Sequence, residues 1–132
     1  MSTAATADAD VLDLAERLFR AIEAGDLDTL RTVYADDFVA WSNFDDDTKD
    51  VDGTLAVLGW LCHKLGDRRY DVARREVIAG GFLQQHVLRG TAPDGSAVAM
   101  PACVVATVRD GHVARIDEYL DPSALAALSK KS

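Results

Sequence analysis

The chain has 132 residues, 48% hydrophobic and 27% charged, the makeup of one globular domain with its own core rather than of a disordered or membrane-embedded chain. A formal net charge of -8 and a pI near 4.7, with no local cluster of Lys and Arg, oppose phosphate backbones and anionic lipid, so neither nucleic acid nor a membrane is an expected partner. The longest apolar runs, 54–65 and 97–108, are too short to span a bilayer, and the N-terminus lacks a basic-then-apolar signal pattern, which points to a cytoplasmic location.

Residues 1–8 are small, polar and unpatterned and read as a flexible tail before a single domain over 9–132. From about Asp10, the apolar residues Val11, Leu14, Ala15, Leu18, Phe19 and Ile22 recur at helical spacing, and Gly25 supplies a left-handed stop. Asp26 then caps a second helix that turns Leu27, Leu30, Val33 and Tyr34 inward. Residues 38–44 are aromatic and β-favouring and predict a first strand, followed by a solvated acidic loop over 45–52. Asp52 or Thr54 is positioned to cap a third helix through about Leu65, with Leu55, Leu58, Cys62 and Leu65 on one side and Trp60 off that stripe.

The period then changes from 3.6 to 2. Strands are predicted near 69–79, 82–90, 97–109 and 112–120, separated by Gly80-Gly81, by Ala92-Pro93-Asp94-Gly95 and by Asp110-Gly111. These hairpins make an antiparallel meander; Pro122 closes it, and 123–128 can form a short terminal helix. Helices first and a sheet afterwards predict an α+β fold: a cone-shaped, strongly curved, mostly antiparallel sheet wrapped around three helices from the N-terminal half, with an apolar pocket inside.

Strand alternation sorts the acids of the last strand. His112, Ala114, Ile116, Glu118 and Leu120 share one face, and Val113, Arg115, Asp117, Tyr119 and Asp121 the other, so Glu118 is a lone acid among apolar neighbours. A carboxyl desolvated in an apolar cavity has a raised pKa, which suits it to exchange a proton near neutral pH; the alternative is a Glu bent into water or paired with Arg. The strand before it is apolar on both faces, with Met100, Ala102, Val104 and Ala106 as one wall. Over 82–90, Phe82, Gln84, His86 and Leu88 oppose Leu83, Gln85, Val87 and Arg89, and alternation alone does not choose between them. Trp41 and Asn43 share a face of the first strand and offer a stacking surface and an amide, or else core packing and a loop cap.

The phrases AIEAGDLDTLRTVYADDFVAW, DGTLAVLGWL, APDG and VRDGHVARIDEYLDP, spread from about Asp10 to Pro122, resemble the nuclear transport factor 2-like superfamily and its SnoaL-like branch. Within it the polar pattern resembles limonene-epoxide hydrolase. Trp41-Ser42-Asn43 matches that family's aromatic-x-Asn pair, and Gln84, His86 and Glu118 fall on its Arg, Asp and Asp positions. The resemblance places His86 on the inner face and implies that Glu118 and His86 exchange protons while Asn43 positions substrate or water. Loss of the Arg to neutral Gln84 removes the clamp that the family uses on its carboxylates.

Ketosteroid isomerase resembles the chain less, since its Tyr and Asp fall at Leu18 and Ser42. Polyketide cyclases of the superfamily remain an alternative. The expected function is acid–base chemistry on a largely apolar molecule, of a terpenoid or polyketide kind, opening an epoxide or isomerising or cyclising its substrate. Trp41, Gln84, Trp60, Phe82, Met100, Ala102, Val104, Ile116 and Leu120 are the expected lining. The second reading is a non-catalytic module that binds an apolar ligand or dimerises.

Cys62 and Cys103 lack CxxC spacing, and His63 and His112 lack partners at ligand spacing, so no metal or other cofactor is expected. A homodimer is implied by the family resemblance.

Overall fold

A computed structural model describes residues 7–129. The expected tail lies outside the described residues except for Ala7 and Asp8, and Asp8 already opens the first helix, α1 (Asp8–Ala24), which starts two residues before Asp10. No side chain caps it, but Asp8 and Asp10 in its first turn meet the positive end of the helix dipole. Its predicted stripe is the buried face, and Gly25 ends it at φ 71°. Asp26 then caps α2 (Leu27–Val33), its carboxylate accepting from the Thr29 N–H at 3.1 Å.

The chain leaves α2 directly into β1 (Tyr34–Ser42), so Tyr34 is a strand residue rather than part of the helix. The acidic segment after it is not wholly loop: β2 (Asp47–Lys49) pairs antiparallel with the end of β1. The α3 helix (Val51–Lys64) is capped by Asp50, which accepts from the Gly53 N–H at 2.9 Å, and not by Asp52 or Thr54. With the cap supplied upstream, Thr54 falls inside the first turn and faces inward.

The strands β3 (Gly66–Ile78), β4 (Gly81–Thr91), β5 (Ala97–Arg109) and β6 (His112–Leu120) form the expected meander, and Pro122–Ser129 form a terminal 3₁₀ helix. The sheet order is β2-β1-β6-β5-β4-β3, with β1 parallel to β6 and every other pair antiparallel. The protein is therefore an α+β fold on a curved, unclosed, mixed sheet, with the helices on its inner face. Among the described residues no helix is long and apolar enough to cross a membrane.

Two bulges rephase the alternation that the sequence suggests. In β6, Thr107 pairs with Arg115 but Val108 pairs with Val113, leaving Ala114 as the extra residue. Val113 consequently turns inward and is fully buried, although strict alternation put it outside with Arg115. In β3 the shift falls between Val72 and Arg74, so that Tyr70 and Arg75, of opposite parity, share the inner face.

The main core joins the buried face of α1 to Leu30, Val33, Phe38, Phe82, Val104, Ala106 and Val113. A second cluster, Leu61, Leu65, Leu88, Val98, Met100 and Leu128, ties the end of α3 and the terminal helix to the middle of the sheet. Each large side chain buried in this way stabilises the fold by about 1.5–3 kcal/mol. At Gly90, beside the second cluster, a β-carbon would stand 2.6 Å from both the Gly66 carbonyl oxygen and Leu65. Gly90→Ala is expected to destabilise the protein by about 2 kcal/mol, read as a lower midpoint in denaturant unfolding, because the closest obstacle is backbone.

Candidate functional site

One cavity of about 580 Å³ opens between β1, β2, α3, the sheet centre and the terminal helix. Its walls are apolar: Ala40, Leu58, Leu61, Leu88, Met100, Ile116, Leu120 and Leu125, with Phe44, Val57 and Trp60 at an exposed rim. A volume of this order suits one small organic molecule. The polar lining is sparse and lies toward the mouth and the β1–β6 side, where Ser42, Asp45, Asp47, Lys49, Thr54 and Glu118 contribute.

Pairing across the sheet explains which polar groups meet. Asp47 opposes Ser42, Ser42 lies level with Glu118, Glu118 opposes Val104, Val104 opposes Gln84, and Gln84 opposes Arg75, a single row crossing all six strands. Val104, buried in the core, divides that row. On one side Ser42, Asp47 and Glu118 line the cavity; on the other, Gln84 and Arg75 lie outside its lining.

Glu118 reaches the cavity from β6 because its backbone is held level with β1, and its carboxyl makes no hydrogen bond to any described residue. Apolar surroundings desolvate the carboxyl and push its pKa up to about 7. Burial, and then the nearby Glu118 carboxylate, push the phenols of Tyr34 and Tyr70 up as well. Tyr70 lines the cavity.

His86 lies elsewhere. It shares the next row with Val72, Ala102 and Leu120, and with strands about 4.8 Å apart its backbone is about 10 Å or more from that of Glu118. Its ring meets Phe19 and Tyr70 edge-on, at centroid distances of 5.5 and 4.7 Å, and it is not in the cavity lining. No hydrogen bond joins it to Glu118.

A chain of contacts defines its proton. The Glu16 carboxylate accepts from Arg75 at 2.9 Å, and Arg75 Nε donates to Gln84 Oε1 at 2.6 Å. A guanidinium only donates, so the amide oxygen faces it, and Gln84 Nε2 donates to His86 Nδ1 at 2.8 Å. His86 is therefore neutral with its proton on Nε2. Burial, and secondarily the Arg75 charge, lower its pKa to about 4.

A histidine whose folded pKa is lowered takes up a proton more readily when unfolded. Its contribution to stability is present above about pH 6.5 and is lost as pH falls toward 4. His86→Gln is expected to remove this contribution, so that the variant gains stability relative to wild type as pH falls from 6.5 to 4, measured by chemical denaturation of both proteins.

Arg75 and Glu16 were not legible as site residues. Only the β3 bulge turns Arg75 inward, where it stands 5.7 Å from the Phe19 ring centroid and supplies a cation beside Gln84, the position at which the resembling family carries its own Arg. Asn43 uses its amide as a strand extension. Its Nδ2 donates to the Leu120 carbonyl at 3.2 Å and its Oδ1 accepts from the Leu120 N–H at 2.9 Å, and it does not line the cavity.

Trp41, Trp60, Met100, Ile116 and Leu120 line the cavity, whereas Phe82, Gln84, Ala102 and Val104 do not. The reason is α1, whose Phe19 packs over Phe82 and His86 on the β4 side of the sheet. Thr54, Tyr70, Ser42, Asp47 and Lys49 join the lining without having been singled out for it. The polar residues of β2 had a readable signal only in hindsight, as an acidic segment with a Thr at its centre.

Comparison with known proteins bears on this geometry. No curated protein sequence is significantly similar to the chain. Solved structures share its fold: an LEH-like epoxide hydrolase from M. tuberculosis, TM-score 0.73, 19% identical, covers 92% of this chain and 90% of its own. A candidate SnoaL-like polyketide cyclase from Jannaschia sp. CCS1, TM-score 0.80, 18% identical, covers 97% of both chains. IdmH, a candidate polyketide cyclase from Streptomyces antibioticus, TM-score 0.78, 24% identical, covers 91% of this chain and 99% of its own. The family model of the SnoaL-like domain matches residues 15–116, from the buried face of α1 to the cavity-lining Ile116 of β6, and the chain belongs to that family.

Proposed function

We propose that the protein is a cofactor-independent acid–base enzyme acting on a small, largely apolar molecule, with Glu118 as the residue that carries the proton. The observation behind this is an unpaired carboxyl, with a pKa near 7, on the wall of an otherwise apolar cavity. A stabilising role would call for a partner, and this carboxyl has none; a group held at this pKa both gives and takes a proton at neutral pH. The neighbours described as an epoxide hydrolase and as candidate polyketide cyclases are consistent with such a site without choosing the reaction.

Of the reactions open to it, addition of water to an epoxide fits best. Glu118, protonated, delivers its proton to the epoxide oxygen as the ring C–O bond breaks and water bonds to the carbon, and the carboxylate left behind takes the extra proton from the added water, so that the diol leaves and the acid is restored. The neutral, hydrogen-bonded His86 serves in this reading as part of the packed layer beside Tyr70 and not as the second proton carrier. The second reading, a binding module without turnover, is favoured by the separation of His86 from Glu118. The two are told apart by turnover of small epoxides and enolisable ketones: activity in the wild type and about a thousandfold less in Glu118→Gln is expected, and equal turnover by both overturns the proposal.

A further inference from the structure

Tyr70 stands in β3 between two hollows. Its backbone N–H donates to Glu23 Oε2 at 2.8 Å, beside a small hollow lined by Glu16, Glu23 and Arg75, so its ring points from there toward the main cavity, whose wall it also forms. Phe19 and His86 hold the ring edge-on, at centroid distances of 4.9 and 4.7 Å, which fixes where the phenol ends. The hydroxyl has no hydrogen bond to any described residue. Thr54 Oγ1 is the only side-chain nitrogen or oxygen among the described residues that is both unpartnered and sealed from solvent, so the unpartnered Tyr70 Oη is open. The space it opens on is the one Glu118 faces, since that carboxylate, after burial, pushes the phenol up. A phenol in such a place keeps its proton at neutral pH and offers it as a hydrogen bond, which a Phe of the same shape would not.

We infer that Tyr70 selects and orients the ligand, its hydroxyl donating to a neutral oxygen, a carbonyl, hydroxyl or ether, of an otherwise apolar molecule in the cavity. The donor comes from β3 and the Glu118 carboxyl from β6, three strands away across the curved sheet, so the two groups address the molecule from different walls. Neutrality follows from the rest of the lining. Three acids, Asp45, Asp47 and Glu118, share it with Lys49, whose ammonium is already held by Asp45 at 2.8 Å. A carboxylate or phosphate on the ligand would meet like charge, whereas a carbonyl meets a donor that lacks an acceptor. The other walls around the phenol are hydrocarbon, so this one contact sets the direction in which the molecule lies.

This inference rests on the cavity being a small-molecule site, but not on Glu118 being catalytic. It is tested at pH 8, where most of Glu118 is ionised and donates nothing, by calorimetric titration of the full chain with 1-tetralone, with tetralin, which lacks only the carbonyl, and with 1-naphthoate. Tyr70→Phe, which keeps the ring against Phe19 and His86, is expected to weaken 1-tetralone about tenfold, the worth of one hydrogen bond, and to leave tetralin unchanged. Naphthoate is expected to bind wild type more weakly than tetralone. The infrared carbonyl stretch of bound 1-tetralone is expected at a lower frequency in wild type than in Tyr70→Phe, a shift that packing alone does not produce.

A selective loss of tetralone affinity together with the shifted stretch supports the assignment. It is overturned if Tyr70→Phe changes the two ligands equally or not at all, if naphthoate binds more tightly than tetralone, or if tetralone shows no saturable binding. The wild type alone also tests it: a bound carbonyl that absorbs where the ketone does in alkane overturns the assignment even if the variant does not fold. Failure here is separable from failure of the acid–base reading. If Glu118→Gln loses turnover while tetralone binding ignores Tyr70, only this inference falls; if turnover ignores Glu118 while tetralone binding follows Tyr70, only the catalytic reading falls.

Discussion

Glu118→Gln is expected to lower kcat/KM on a turned-over substrate by about a thousandfold, within the range that positioned proton transfer contributes. The same substitution is expected to make the protein more stable at pH 8. The carboxyl is pushed up to about 7 in the folded chain, so between about pH 4.5 and 7 the unfolded chain ionises while the folded one holds its proton. The contribution of this carboxyl to stability is therefore full below about pH 4.5, is lost as pH rises toward 7, and stays lost above it. Gln at this position has no proton to lose, and that fall disappears.

The size of the fall is about 2–3 kcal/mol, reduced from the full shift because the carboxyl faces an open cavity. His86 acts in the opposite direction between pH 6.5 and 4, so the two contributions offset each other where they overlap. Chemical denaturation of the two single variants across pH 4 to 8 separates them. A Glu118→Gln variant that is less stable than wild type at pH 8, and fully active, would falsify both the placement of the carboxyl and its role. A more stable variant with lost activity is the pattern of a site that gives up stability for function.

Arg68→Ala is expected to cost about 3 kcal/mol and lower the Tm by about 10 °C, the largest single effect on stability expected here. One guanidinium donates to the carbonyls of Cys62 and Leu65, both at 2.7 Å, of Ile22 at 3.3 Å and of Glu23 at 3.0 Å. These carbonyls lie at the ends of α1 and α3 and point at one spot because both helices stop against the start of β3; that of Ile22 also accepts from the Gly25 N–H at 3.1 Å. A cation there also meets the negative ends of two helix dipoles. The side chain is half-buried, and removing it takes a donor from each of these four carbonyls.

Arg68→Lys is expected to recover less than half of the loss, because an ammonium carries a point charge and not a planar fork. Differential scanning calorimetry of the two variants decides it. A Tm within 3 °C of wild type for Arg68→Ala would mean that water satisfies these carbonyls equally well.

Local pattern reached far in this chain. The amphipathic face of α1, the left-handed stop at Gly25 and the turn chemistry at Gly80-Gly81, Gly95 and Asp110-Gly111 all show in the sequence, because each depends on residues a few positions apart. The inward direction of Glu118 belongs with them. Beyond the Ala114 bulge the alternation of Ile116, Glu118 and Leu120 is unbroken, and all three line the cavity.

What only the tertiary structure decided is where two faces meet. A bulge adds one residue without a reliable mark in the sequence; one turned Val113 inward against the alternation, and another brought Arg75 onto the face of Tyr70. Likewise no spacing along β4 could say that Phe19 and Tyr70 occupy the ground over His86, leaving the cavity to Thr54 and β2. The sequence by itself determined the order of elements, the fold class and one desolvated carboxyl, since these follow from periodicity and turn residues. The company that carboxyl keeps was decided by long-range packing, in which register and helix placement set distances between residues far apart in the chain.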